Sequence, residues 1–207
     1  MIFLASSSPS RKAILEAAGT TPVIVPAQVD EEAILSAQPQ EDGQVLQPGL
    51  ALLEVAEAKA QKGLAHVQEN YEFGEFDLVV AADSMLLIDG HLQGKPYDPE
   101  TMIERWRYQR GRKAQLLTGH CFISGAGHMW KEYTTSTITF ANISEEDIKA
   151  YAYSEEALGC AGAFTLEAKG GWFIDHIDGD YTAILGLSLP VIRQALYSFG
   201  SNVNKLW

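Results

Sequence analysis

The chain has 207 residues, with 27 Asp and Glu against 15 Lys and Arg, a formal net charge of −12. That acidity excludes a broad electrostatic grip on DNA or RNA, which depends on many Lys and Arg contacts to phosphate. It leaves room for a small anion held by a few local cations. Hydrophobic residues are 46% and charged residues 20%, proportions that suit one large globular domain or two lobes sharing a core. No run approaches the ~18 apolar residues of a membrane span, and the N-terminus lacks a signal-peptide pattern. Cys121 and Cys160 are isolated, without metal-ligand spacing; free thiols of this kind fit a reducing cytoplasm.

Ile2 to Ala5 is an apolar run suited to a buried strand, and three serines follow. Ser8 is a natural N-cap, Pro9 fits the first helical position and Gly19 stops the helix. Arg11 and Lys12 then lie in the first turn, where the helix dipole disfavours cations. Such a start suits an anion beside it, or an ordinary turn with solvated basic residues. Val23 to Val25 reads as a short strand between prolines. Asp30-Glu31-Glu32 marks a helix start or a solvated loop. Ala37 to Gly49 is rich in Gln, Pro and Gly and reads as a loop or a loosely ordered insertion.

From Pro48 to about Val67 the pattern is helical, with Leu52, Val55, Ala56, Lys59 and Gly63 on one stripe. Lys59 therefore sits on the core-facing side, where an ammonium must snorkel outward or find an anion. Leu78 to Ile88 is apolar except for Asp83-Ser84, a strand buried on both faces and interrupted by one acid. That acid marks either a strand break or a functional carboxylate. Asp89-Gly90 is a hairpin signal, which returns Lys95 toward the strand carrying Asp83.

Pro99 to Arg110 reads as a helix, and Gln115 to Ile123 and Tyr133 to Phe140 as antiparallel strands around Gly125-Ala126-Gly127. Ser144 caps a helix running through Tyr153, and Trp172 to Ile177 is a strand. The last helix begins at Gly186 to Pro190, with Leu189, Ile192, Leu196 and Phe199 as its buried stripe. None of the five histidines has a neighbour at metal-ligand spacing. No Gly-x-Ser-x-Gly elbow and no P-loop occurs.

These residues resemble the Maf nucleotide pyrophosphatases. Ser6-x-Ser8-Pro9-Ser10-Arg11 is similar to the family's Ser-x-Ser-Pro-Arg-Arg signature, with Ser10 in place of the first arginine. Ala56 to Ala60 matches its catalytic-lysine segment at Lys59, and Ala81-Ala82-Asp83-Ser84 its Gly-Ala-Asp-Thr. Gly94-Lys95-Pro96 matches Gly-Lys-Pro, and Cys160 to Phe164 with Glu167 its Ala-Gly-Ala-Tyr segment and substrate-sensing Gln or Glu. Gly186 to Pro190 falls on its Gly-Leu-Pro-Leu landmark, as Gly-Leu-Ser-Leu-Pro, so the matches run in family order from residue 6 to residue 190.

The resemblance implies an α/β fold over residues 1–207, one elongated domain with a mixed β-sheet, flanking helices and two lobes around a cleft (a Maf-like or ITPase-like fold). It implies hydrolysis of nucleoside triphosphates to monophosphate and pyrophosphate, with Mg²⁺ or Mn²⁺ as cofactor. Asp83, Lys59 and Lys95 are then the catalytic residues, and Ser6, Ser8 and Arg11 bind phosphate. Ser84 and Glu167 set specificity, and Glu31 contributes to a metal site. An ionised Glu167 only accepts hydrogen bonds, which suits a donor-rich base such as guanine. The expected partner is the nucleotide substrate, in a chain that binds neither nucleic acid nor membrane and forms a homodimer. The alternative is a non-catalytic nucleotide-binding regulator of septum formation.

Overall fold

A computed structural model gives the structure of residues 1–207. Strand β1 (Ile2–Leu4) is fully buried and leads through the serines into helix α1 (Pro9–Ala17). Ser8 Oγ accepts from Arg11 N, Pro9 stands in the first turn, and Gly19 follows the helix with φ +86°. Then come β2 (Val23–Ile24), α2 (Glu31–Ser36) and a small hairpin of β3 (Gln40–Glu41) and β4 (Gln44–Val45). This hairpin corrects the reading of residues 37–49 as loop alone. Asp42 and Gly43 both take positive φ, the geometry an Asp-Gly turn supplies.

Helix α3 (Pro48–Asn70) buries the expected stripe, Lys59 included. Strand β5 (Leu78–Ile88) runs for 11 residues without a break at Asp83. It continues into β6 (His91–Gln93), α4 (Pro99–Gln109), β7 (Lys113–Ser124) and β8 (Met129–Phe140). Helix α5 (Glu145–Ala152), β9 (Ile174–Asp178), α6 (Tyr181–Ile184) and α7 (Leu189–Ser198) complete the regular elements. The strand expected from Trp172 begins only at Ile174, because Lys169 to Phe173 forms a 3₁₀ turn.

The strands form one mixed sheet in the order β2-β1-β5-β7-β8-β9, with β6 beside β5. Strands β2 and β1, and β1 and β5, run parallel; the other pairs are antiparallel. One edge of β5 is shared by two short partners. Strand β1 covers Leu78 to Val80, and β6 covers Leu86 to Ile88. Between them that edge has no neighbouring strand, and the segments leaving β1 and β6 converge on the gap. The serine turn arrives from one side and Gly94-Lys95 from the other.

The core divides at the same place. Leu78, Val80 and Ala82 pack with α1 and α7 on one face, whereas Val79 and Ala81 pack with α3 on the opposite face. Leu86 and Ile88 belong to a separate cluster around Trp106, Phe140 and Tyr151. These are the two lobes, and Asp83 and Ser84 occupy the crossing between them. Gly119 on β7 allows α3 to lie close to the sheet there. A Cβ on Gly119 would meet Leu52 O at 2.5 Å, so glycine alone fits this approach.

Candidate active site

Asp83 and Ser84 are consecutive on an extended strand and so face opposite sides of the sheet. On the α3 side, Lys59 Nζ lies 2.5 Å from Asp83 Oδ1 and 2.6 Å from Glu31 Oε1. Lys59 and Asp83 are both only 7% exposed, so neither charge is tolerable without the other. The ammonium on the core-facing stripe has found an anion rather than snorkelled.

The acidic run at residues 30–32 is sorted by helix geometry. Asp30 Oδ1 caps α2 by accepting from Ala33 N at 2.9 Å, Glu32 faces solvent and Glu31 turns to Lys59. Burial raises the Glu31 pKa, but the hydrogen bond and charge of Lys59, aided by Lys95 and Arg11, outweigh it and hold the carboxyl below its ordinary value. Asp83 Oδ2 and Glu31 Oε2 make no hydrogen bond within the protein and remain free to act.

On the other side, Arg11 reaches inward from the first turn of α1. Its Nε donates to Gly186 O at 2.8 Å, one terminal nitrogen to Ser6 Oγ at 3.1 Å and the other to Ser84 Oγ at 3.2 Å. All three acceptors are neutral. Burial lowers the Arg11 pKa, opposed by the charges of Asp83 and Glu31, and a guanidinium stays protonated under such conditions. Lys12, its neighbour, points outward and pairs with Glu16 at 3.3 Å. Only one of the two cations at the helix start therefore serves the site.

The chain of donors behind Ser84 is directional. Thr118 Oγ1 donates to Ala183 O at 3.0 Å, so its oxygen accepts the Ser84 hydroxyl, also at 3.0 Å. Ser84 in turn accepts from Arg11. Gly186 adopts φ +110°, which carries its carbonyl to Arg11 and leaves no room for a side chain beside that guanidinium. His120 fixes the same loop. It is fully buried, Ser188 N donates to its Nε2 at 3.0 Å, and Nδ1 lies 3.2 Å from Glu132 O. The imidazole is therefore neutral with the proton on Nδ1, and burial pushes its pKa down to about 4. Asp180 caps α6, and the Ser188 hydroxyl donates to it.

Ser6 is buried and receives both Arg11 and Ser8 N, whereas Ser8 caps the helix. Lys95 is exposed at the mouth of the gap, near enough to Glu31 and Cys160 for its charge to act on both. Glu167 is exposed, accepts from Ser10 Oγ at 2.6 Å and lies near enough to Cys160 for its charge to act there. The structure thus gathers Ser6, Arg11, Glu31, Lys59, Asp83 and Ser84 by direct contact, with Ser8 capping the helix beside them and Lys95 and Glu167 at the rim.

Sequence reasoning missed the supporting roles of Thr118, His120 and Gly186. A histidine inside the apolar run Leu116 to Ile123 was a legible sign of a buried polar group. Its partner, Ser188, lies 68 residues away in sequence and carried no sign.

The Maf-like protein family model matches residues 1–199 of this chain. A nucleoside triphosphate pyrophosphatase of Corynebacterium efficiens is 52% identical over 206 residues, covering 100% of this chain and 98% of that protein. Its counterpart in Corynebacterium aurimucosum is 50% identical with the same coverage. A solved nucleoside-triphosphatase/dITP/XTP pyrophosphatase from Mycobacterium abscessus has 18% identity and a TM-score of 0.35, over 69% of this chain and 73% of that one. That last likeness is too slight to bear on the site.

Proposed function

The chain belongs to the Maf-like protein family, and from that membership and the geometry of the cleft we propose that it hydrolyses nucleoside triphosphates to the monophosphate and pyrophosphate. It is a hydrolase of phosphoric anhydrides, in keeping with relatives named nucleoside triphosphate pyrophosphatase. Those names lend nothing to a non-catalytic regulator of septum formation. The single observation that carries the mechanism is Asp83, a buried carboxylate held through one oxygen by Lys59 while the other remains free.

The start of α1 binds phosphate through backbone N–H groups, the serine turn and Arg11. Arg11 has five N–H donors and commits three to the protein, which leaves two uncommitted for an anion. Lys95 adds charge from the opposite side of the gap. Asp83 Oδ2 accepts a proton from a water molecule as that water attacks the α-phosphorus, and the bond to the pyrophosphate oxygen breaks. Lys59 holds Asp83 in register and ties it to Glu31. Ser84 serves this reaction through Arg11, whose terminal nitrogen it fixes.

The donor set also fits a divalent ion of the Mg²⁺ or Mn²⁺ type. Glu31 and Asp83 supply hard, uncommitted oxygens, and there is no cluster of three or more His, Cys, Asp or Glu that could hold an ion unaided. An ion here would be shared with the substrate's phosphates, and when bound it neutralises their charge. A carboxylate committed to an ion is a poorer base, so Glu31 is the natural ligand and Asp83 the natural base.

The test is to incubate the protein with GTP, UTP and dTTP, with and without Mg²⁺ or Mn²⁺, and resolve pyrophosphate from orthophosphate. Pyrophosphate and a monophosphate are expected, with turnover lost in EDTA. Orthophosphate and a diphosphate would contradict the assignment.

A further inference from the structure

The cations of the gap are fixed in different ways. Arg11 and Lys59 are held by contacts of their own side chains, whereas Lys95 is exposed and its side chain makes no ion pair or hydrogen bond within the protein. Whatever keeps Lys95 at the mouth of the gap must therefore act on its backbone.

The peptide bond that joins Gly94 to Lys95 is clamped. Arg105, on α4, donates from a terminal nitrogen to Gly94 O at 2.6 Å, and Gly162 N donates to the same oxygen at 3.2 Å. A peptide unit is planar, so two donors on this carbonyl also fix the N–H and Cα of Lys95. On the other side of Lys95, Pro96 is buried and confines the residue before it to extended backbone. Tyr97 N then donates to Leu158 O at 3.1 Å, and Tyr97 takes φ +64° with its side chain exposed. A bulky residue adopts that conformation only where its surroundings impose it.

Arg105 is free for this task. It is half-buried, with no ion pair and no other hydrogen bond. Asp98, whose charge acts on it, spends both carboxylate oxygens on Thr101 in capping α4. The guanidinium is thus committed to a single backbone carbonyl, and a charged donor makes the stronger kind of hydrogen bond.

We propose that Arg105 is a positioning residue for Lys95, directing the Gly94 carbonyl so that the lysine is preset to meet the substrate's phosphates. The inference rests on the nucleotide-hydrolysing reading given above and adds to it a residue of α4, outside the cluster of side chains in direct contact.

The experiment is a double-mutant cycle on kcat/KM for whichever of GTP, UTP and dTTP the wild type hydrolyses fastest, read by pyrophosphate release with Mg²⁺. It compares wild type, Arg105→Met, Arg105→Lys, Lys95→Met and Arg105→Met/Lys95→Met, with a thermal midpoint for each. Arg105→Met should lower kcat/KM about tenfold, mostly through KM, the scale of one hydrogen bond to a charged group. Arg105→Lys, which keeps a charged donor, should retain most of the activity. Once Lys95 is Met, Arg105→Met should produce no further fall, although its thermal midpoint should drop by the same few degrees in both backgrounds. Arg105→Gln repeats the cycle should the Met variant not fold, with the same loss of effect expected in the Lys95→Met background.

An unchanged kcat/KM in Arg105→Met, or a fall of equal size in the Lys95→Met background, would overturn the positioning role while leaving the hydrolase assignment intact. A wild type that releases no pyrophosphate from any of the three nucleotides would overturn both.

Discussion

The two faces of β5 at residues 83 and 84 solve the problem of a buried charge in different ways. On the Asp83 face, charge meets charge: Lys59 sits between Asp83 and Glu31, and each carboxylate keeps an oxygen in reserve. On the Ser84 face, Arg11 is held by a carbonyl and two hydroxyls, none of which carries an opposite charge. The first face has spare acceptors and the second has a cation with no counter-ion in contact. A phosphate ester bound across the strand would supply the missing anion to one and place its electrophilic phosphorus before the other. In the proposed reaction, the difference between the faces is the difference between the machinery of attack and that of grip.

Asp83→Asn should have the largest effect. It preserves shape and removes the proton acceptor, so turnover should fall about 10²–10⁴-fold, while nucleotide binding persists or tightens because a negative charge near phosphate has gone. Near-normal turnover in a folded Asp83→Asn protein would place the base elsewhere. Lys59→Met tests whether the Asp83 face is held by ion pairing. Leaving Asp83 buried and unpaired should cost about 3 kcal/mol or more in chemical denaturation, and an unchanged midpoint would mean that the carboxylate is solvated from the cleft.

The Ser84 face makes a matching prediction in pH. His120 is neutral in the fold with a pKa of about 4, depressed by burial and by Arg11 against the opposing pull of Asp180 and the Glu132 carbonyl. Above the unfolded value of about 6.5 it is neutral in both states and contributes no pH dependence. As pH falls from there to about 4, the unfolded chain takes up the proton first, so stability is lost through that window, by about 3 kcal/mol. Denaturation curves across this range should show the slope in wild type and a reduced slope in a folded His120→Gln variant; equal slopes would assign the effect to other groups. Thr118→Val should have the smallest effect. Removing the acceptor for Ser84 and the donor to Ala183 O should cost about 1 kcal/mol and raise KM by loosening Arg11. Unaltered kinetics would show that Arg11 holds its position without the relay.

Much of the attack face was legible in the sequence because it is written locally. Lys59 fell on a helical stripe, Asp83 stood inside an apolar strand, and both positions conflict with burial unless they are paired. The start of α1 was legible for the same reason, since Ser8, Pro9 and Arg11 are neighbours. Most of the grip face was not. Thr118 meets Ser84 only through the antiparallel register of β5 and β7, and the Gly186 carbonyl reaches Arg11 across 175 residues. Registers and returning loops are set by the whole fold, so no single stretch announces them. The β3–β4 hairpin escaped notice because strands of two residues, set among polar side chains, leave no alternation to read.

In the proposed reaction, Asp83 directs a water molecule at the α-phosphorus. A single turnover in water enriched in heavy oxygen, followed by mass analysis of both products, tests it most directly. The label should enter the nucleoside monophosphate and be absent from the pyrophosphate. Label in the pyrophosphate would mean attack at the β-phosphorus, and labelled orthophosphate would mean attack at the γ-phosphorus; either result would contradict the arrangement described for Asp83 and Arg11.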